Sequence, residues 1–105
     1  MKTIYVAGPY SDNPELRTRE AISAAEDLRQ MGFAPFVPHL FHFWHLQHPL
    51  TYEEAMTLDF AWLERCDALL RLPGVSPGAT REVQYAVARG LPVFFSIGEV
   101  RAWLP

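Results

Sequence analysis

Hydrophobic positions along the chain alternate between short continuous runs and helical stripes. The continuous runs predict four β-strands, which span about 3–7, 33–37, 67–72 and 93–96. Between these runs, apolar residues recur three or four positions apart, which predicts helices over about 14–31, 51–66 and 78–89 and a short closing helix over 99–104. This regular succession of strands and helices is typical of an α/β fold.

The alternation predicts a Rossmann-like or flavodoxin-like three-layer sandwich with a parallel sheet of about four strands. The expected strand order is 2-1-3-4, and Pro35 within the second run places that strand near a sheet edge. In this order, the loops after strands one and three, about 8–13 and 73–80, meet at the carboxyl edge of the sheet. Ligands bind in such crevices in open parallel sheets, so we expect the functional cleft there.

Capping signals support the predicted starts of two helices. Asp12 or Asn13 can cap the first helix, with Pro14 at its first position. Thr51 and Glu54 have the three-residue spacing of a capping box at the start of the second helix. We therefore expect both helices to begin at these residues.

The segment 38–50 follows neither pattern, and its sequence is PHLFHFWHLQHPL. It is too aromatic for an ordinary exposed loop and is flanked by prolines, so we interpret it as an irregular or partly helical excursion. Its aromatic centre suits a lid or wall that stacks on a flat ring. Alternatively, these side chains pack in a dimer interface, where aromatic residues are enriched.

Four histidines in that segment, His39, His42, His45 and His48, raise the question of a metal site. On a helix, steps of three residues rotate successive side chains by about 60°, so the first and last would face opposite ways. Cysteine and acidic residues do not stand at ligand spacing from them. We therefore predict no metal site.

Composition restricts the expected partners. The 105 residues are half apolar, which suits a single domain over 1–105 with a small core. The formal net charge of −3 and the lack of a basic run argue against a nucleic-acid polymer or a membrane as partner. Cys66 is the only cysteine, so no internal disulfide can form, which suits the cytoplasm as the expected location.

Three residues near the predicted cleft are candidates for catalysis. Glu82 lies in the first turn or so of the third helix and is either a charge favoured by the helix dipole or a nucleophile or base. Asp59 lies within a largely apolar helix and is either a surface residue or, beside a second carboxylate, an acid with a raised pKa. Tyr5 is either a core residue or a hydroxyl that reaches the cleft. The local sequence leaves these alternatives open.

Hydrogen-bond donors in the two predicted cleft loops suit a phosphate. Gly8 and Ser11 lie in one loop, and Ser76 and Gly78 lie in the other. The motifs G-x-G-x-x-G and G-K-[ST] do not occur, which excludes a dinucleotide-binding or P-loop reading.

Three segments together resemble the nucleoside 2-deoxyribosyltransferase superfamily, which includes the 2′-deoxynucleoside 5′-phosphate N-hydrolase and small DUF4406-like proteins. They are IYVAGPYS at 4–11, D-x-x-W-L-x-x-x-D at 59–67 and S-x-G-x-x-x-E at 76–82, with GLPV at 90–93 after them. The resemblance covers nearly the whole chain in order. It implies the same α/β fold and a typically homodimeric or larger assembly.

The resemblance also implies residue roles. Glu82 is similar to the nucleophilic glutamate of the family, and Asp59 to the aspartate that helps protonate the leaving base. Tyr5 is similar to the tyrosine near the sugar, and Ser76 to a serine that contacts the 5′-phosphate in the hydrolase.

The function that the resemblance implies is hydrolysis or transfer at the N-glycosidic bond of a (deoxy)nucleoside or its 5′-monophosphate, without cofactor or metal. The expected substrate-binding residues are Gly8, Pro9, Tyr10, Ser11, Ser76, Gly78, His42, Trp44 and His45. Two other classes stay open. One is a sensor that binds a nucleotide or other small ligand without turnover. The other is a structural subunit whose aromatic patch docks another protein.

Overall fold

Four short strands form one parallel sheet in the order β2-β1-β3-β4 in the computed structural model, which describes residues 1–104. The strands are β1 Thr3–Ala7, β2 Ala34–Phe36, β3 Ala68–Arg71 and β4 Val93–Phe94. All three pairings are parallel. The predicted fold class and strand order are confirmed, and the strand that contains Pro35 lies at an edge. The predicted domain end, Pro105, lies outside the described residues.

Five α-helices surround the sheet in the described part of the chain. They are α1 Pro14–Gln30, α2 His42–Gln47, α3 Tyr52–Leu63, α4 Pro77–Ala88 and α5 Ile97–Trp103, and a 3-10 turn spans Pro38–Phe41. The 38–50 segment is thus partly helical, as predicted. Within residues 1–104, every helix is too short or too polar to cross a membrane.

Side-chain caps fix where several helices begin. The Asn13 side chain accepts a hydrogen bond from the backbone N–H of Leu16 at 3.3 Å, so Asn13 and not Asp12 caps α1. Thr51 and Glu54 form the predicted capping box on α3. Three boundaries were predicted wrongly by two residues or more. α5 begins at Ile97, two residues earlier than expected, because Ser96 caps it. α3 ends at Leu63 and not near Cys66, and β4 ends at Phe94 and not at Ser96.

The sheet is buried on both faces, because its side chains alternate between two cores. Ile4 and Val6 of β1 pack toward α1 and α5, together with Leu28 and Val100. Tyr5 and Ala7 project to the opposite face, where α3 and α4 pack. The residues of that second core are Tyr5, Ala7, Leu63, Cys66, Leu69, Ala79 and Ala86. The polar end of Tyr5 therefore lies on the same side of the sheet as α3 and α4.

Candidate active site

An open cleft of about 470 Å³ lies at the carboxyl edge of the sheet, where β1 and β3 end. One wall is the loop after β1 and the other is the start of α4. The side of α3 that carries Tyr52, Met56 and Asp59 completes it, and the 3-10 turn and α2 contribute Pro38, His39 and His45. The cleft therefore lies where the two loop segments were expected to meet.

Glu82 lies at the floor of this cleft. Its side chain is buried, and its Oε2 atom accepts a hydrogen bond from the Tyr5 hydroxyl. The Tyr5 ring is fully buried and stacks against Phe36 with ring centroids 5.8 Å apart. The sheet and α4 thus bring together two groups that stand 77 positions apart in the chain.

Asp59 projects from α3 into the same cleft and lies beside Glu82. Burial, and after it the neighbouring Asp59 carboxyl, raise the pKa of Glu82 to about 8. Burial also raises the pKa of Asp59 to about 6. Because two carboxyl groups this close interact, they titrate as a pair. In the interval between the two pKa values, the pair holds one proton.

Such a pair can supply both an acid and a nucleophile from the same protonation state. The hydrogen bond from Tyr5 favours the carboxylate form of Glu82, because a donated hydrogen bond stabilises negative charge on the acceptor. The Arg71 guanidinium also lowers the pKa of Glu82, although by less than burial and Asp59 raise it. The higher pKa of Glu82 places the shared proton mainly on Glu82 in the free protein, so the form with Glu82 ionised and the proton on Asp59 is the minor, reactive one.

The structure brings six of the nine expected substrate-binding residues to the cleft and leaves three outside it. The six are Gly8, Tyr10, Ser11, Ser76, Gly78 and His45. The three outside are Pro9, His42 and Trp44. The Tyr5 hydroxyl contacts the cleft indirectly, through Glu82.

Each of the three outside residues has a structural contact that explains its position. The Pro9 carbonyl accepts a hydrogen bond from His39 Nε2 at 3.0 Å, and the Pro9 ring packs close to Gly74. His42 Nδ1 lies 2.5 Å from the Tyr10 hydroxyl. Trp44 is half exposed and packs on Phe41 with ring centroids 5.7 Å apart.

Three of the four histidines lie around Tyr10, and the fourth, His48, is exposed. The ring centroids of His39, His42 and His45 are 6.0, 5.8 and 6.0 Å from that of Tyr10. Burial lowers the pKa of both His39 and His45. In residues 1–104, no group of three or more His, Cys, Asp or Glu side chains is arranged to hold a metal ion.

Several cleft residues were not among the expected site residues, notably Asp12, His39, Tyr52 and Met56. A signal for three of them was present, and for Asp12 it is its place in the predicted cleft loop 8–13. Tyr52 and Met56 stand seven and three positions before Asp59 and therefore share its face of α3. His39 carried no such signal, because its inward direction depends on the 3-10 turn that places it against Pro9.

A family model described as "Domain of unknown function (DUF4406)" matches residues 2–95. The chain belongs to the DUF4406 family. Among curated proteins, none matches this DUF4406 chain significantly.

Solved structures share the fold of this DUF4406 protein. A 2-desoxiribosyltransferase from Leishmania mexicana superposes with a TM-score of 0.66 at 21% identity, covering 89% of this chain and 62% of its own. The CMP N-glycosidase BcmB from Clostridium botulinum superposes with a TM-score of 0.62 at 20% identity, covering 88% of this chain and 68% of its own. A 2-deoxyribosyltransferase from Bacillus psychrosaccharolyticus superposes with a TM-score of 0.63 at 21% identity, covering 87% of this chain and 69% of its own.

At this level of identity, the likeness establishes the shared fold. It confirms the resemblance to the deoxyribosyltransferase superfamily as a likeness of fold that spans most of the DUF4406 chain. The chain spans about three fifths of the length of the Leishmania mexicana protein.

Proposed function

We propose that this DUF4406 protein cleaves the N-glycosidic bond of a (deoxy)nucleoside or of its 5′-monophosphate, by hydrolysis or by transfer to another base. The observation that carries the proposal is the set Tyr5, Asp59 and Glu82 at the floor of an open cleft. The proteins that share the fold include two deoxyribosyltransferases and a CMP N-glycosidase, which agrees with this chemistry.

In the proposed first step, the Glu82 carboxylate attacks the anomeric carbon through an oxocarbenium-like transition state. The bond from that carbon to the Glu82 oxygen forms as its bond to the base nitrogen breaks. Asp59 transfers its proton to the departing base, so the base leaves as a neutral molecule. Tyr5 keeps one Glu82 oxygen engaged and orients the other toward the sugar.

In the second step, water or another base resolves the glycosyl-enzyme intermediate. The Asp59 carboxylate, having lost its proton, accepts one from the incoming water or from the N–H group of the incoming base. The bond between the sugar and Glu82 then breaks, and the starting protonation state returns. No cofactor or metal enters this scheme.

Substrate binding follows from the walls of the cleft. Gly8, Ser11 and Ser76 surround the region proposed for the 5′ end of the sugar. The rings of Tyr10 and His45 lie with centroids 6.0 Å apart and form an aromatic wall for the base. We assign His42 a positioning role, since its ring nitrogen holds the Tyr10 hydroxyl.

The decisive experiment measures base release. Purified protein is incubated with nucleosides, deoxynucleosides and their 5′-monophosphates, with and without a second free base, and chromatography detects the free or exchanged base. Glu82→Gln is expected to lower the release rate by at least about 100-fold, because an amide does not replace the nucleophile. Glu15→Gln, the same change on the exposed surface of α1, is expected to leave the rate within about twofold. Full activity in Glu82→Gln would contradict the mechanism.

A second candidate function is a sensor that binds a nucleotide or another small ligand without turnover. The raised pKa of Glu82 favours it, because a protonated glutamic acid donates a hydrogen bond and does not attack carbon. The two functions differ in one respect. Ligand binding by a sensor is expected to survive Glu82→Gln and Asp59→Asn, whereas turnover by an enzyme is not.

A further inference from the structure

We propose that the cleft selects a nucleoside with a free 5′-hydroxyl over the corresponding 5′-monophosphate. The inference rests on the proposed function, which leaves the phosphate open. Three carboxyl side chains line the cleft, those of Asp12, Asp59 and Glu82, whereas none of the described lining residues is a lysine or an arginine.

Asp12 is the decisive residue of the three. It belongs to the same loop as Gly8 and Ser11, at the wall proposed for the 5′ end of the sugar. A phosphate monoester carries about −1.5 to −2 charges at neutral pH, so a 5′-phosphate at this wall meets a carboxylate of the same sign. A 5′-hydroxyl, in contrast, can donate a hydrogen bond to Asp12 or to Ser11.

The arginines near the cleft already contact carboxylates or a carbonyl of the chain. Arg17 contacts Asp12 at 2.8 Å and Glu20 at 3.0 Å, so this three-residue group carries a net negative charge. Arg81 pairs with Glu53 at 2.8 Å on the outer surface of α3 and α4. Arg71 donates to the backbone carbonyl of Leu72.

The start of α4 also offers little to a phosphate. A helix N-terminus binds anions through its free backbone N–H groups. Here Pro77 has no N–H, and the N–H of Ala79 donates to the Ser76 hydroxyl at 3.1 Å. Gly78 is left to supply a backbone donor at this end of the helix, which suits a hydroxyl better than a phosphate with three acceptor oxygens.

The two histidines in the wall do not supply the missing positive charge. Burial lowers the pKa of His39 and of His45, and His42 lowers the pKa of His45 further. Both rings are therefore neutral at pH 7, and the electrostatic character of the cleft is set by its carboxyl groups.

The test compares kcat/KM for a deoxynucleoside and its 5′-monophosphate with the same base, at low ionic strength. We expect the nucleoside to be favoured by at least about tenfold, because like charges oppose the monophosphate. Added salt screens this opposition, so the ratio is expected to shrink as the salt concentration rises. A monophosphate that is cleaved equally well or better overturns the inference and leaves the proposed function standing.

Two variants locate the effect. Asp12→Asn removes the charge at the cleft wall and releases Arg17, so the preference for the nucleoside is expected to fall by about fivefold or more. Glu20→Gln removes the other partner of Arg17 with the same change of charge outside the cleft lining, and we expect it to keep most of the preference. Equal effects of the two variants would assign the preference to Arg17 and not to Asp12.

A matched pair of uncleavable ligands separates this inference from the proposed function. A C-nucleoside and its 5′-monophosphate have a carbon–carbon glycosidic bond, so titration calorimetry with the unaltered protein measures their binding alone. Tighter binding of the C-nucleoside without base release from any substrate supports the inference and refutes the proposed function. Tighter binding of the monophosphate, or binding of neither ligand, overturns the inference.

Discussion

Four influences compete over the pKa of Glu82 at the floor of the cleft. Burial and the Asp59 carboxyl raise its pKa, whereas the Tyr5 hydroxyl and Arg71 lower it. The result is a carboxyl pair that binds one proton near neutral pH and places it on either member. In the proposed mechanism, a single buried glutamate without Asp59 would have no nearby acid to protonate the base, so the proposal assigns the chemistry to the pair and not to Glu82 alone.

The pH profile of base release follows from this pair. Below about pH 6 both carboxyl groups are protonated and the nucleophile is lost, and above about pH 8 both are ionised and the acid is lost. We therefore expect a bell-shaped dependence of kcat/KM with its maximum between these values. Initial rates from pH 4.5 to pH 9.5 measure it. A rate that rises steadily to pH 9.5 would exclude Asp59 as the acid.

At the scale of elements, the start of α4 links the capping of a helix to the position of the site. Ser76 caps this helix and also lines the cleft, and Glu82 follows six residues later on the buried side. Fraying of the first turn would therefore displace one wall of the cleft. The start of α5 has the same kind of cap, in which the backbone N–H of Glu99 donates to the Ser96 hydroxyl at 3.1 Å. Ser96 does not line the cleft.

These two caps form a matched pair for mutation. Ser76→Ala and Ser96→Ala are each expected to lower the free energy of unfolding by about 1 kcal/mol, because each leaves a backbone N–H without its partner. Ser76→Ala is expected also to raise KM for the substrate, while Ser96→Ala leaves KM unchanged. Urea denaturation and initial-rate kinetics measure the two effects. An equal change of KM in both variants would attribute it to general loss of stability.

At the scale of the whole molecule, helices cover both faces of the sheet, so the aromatic surface available to another subunit lies at the β2 edge. The edge strand β2 carries Phe36, which stacks on the half-exposed Trp62 with ring centroids 5.0 Å apart. Phe41 and Trp44 extend this aromatic cluster. The homodimer or larger assembly stays a prediction. If it forms, we expect this aromatic cluster to lie in the interface between subunits.

The buried carboxyl pair also affects the stability of the whole fold. The folded-state pKa of Glu82 lies above the ordinary value of 4.5, at about 8, so the folded protein binds more protons than the unfolded chain between these values. The contribution of Glu82 to stability is therefore fully present below about pH 4.5 and is lost as the pH rises through about 8.

Glu82→Gln is accordingly expected to gain stability relative to the unaltered protein as the pH rises. Because glutamine does not ionise and its amide oxygen can still accept from Tyr5, the gain at pH 9 should reach roughly 2–4 kcal/mol. Urea denaturation at pH 5 and pH 9 measures it. Glu15→Gln serves as the control, since Glu15 is exposed. A gain that is the same at both pH values would contradict the raised pKa.

Local signals in the sequence predicted most of the architecture of this protein. Strands, helices and the Thr51 capping box depend on residues a few positions apart, so periodicity and spacing were sufficient to predict them. The strand order followed from the alternation of elements. Each of these features depends on residues close to it in the chain, so one sequence without an alignment is enough to predict it.

The site depends on contacts between distant residues, and local patterns do not contain these. Tyr5 meets Glu82 across 77 positions, and the pKa of Asp59 rises because the packing of α3 against α4 buries it. The position of α2 sends His45 to the cleft lining and His42 to the Tyr10 hydroxyl, although both stand at the same spacing in the same segment. Burial and electrostatic environment are properties of the folded chain, because they depend on which surfaces exclude water from each other.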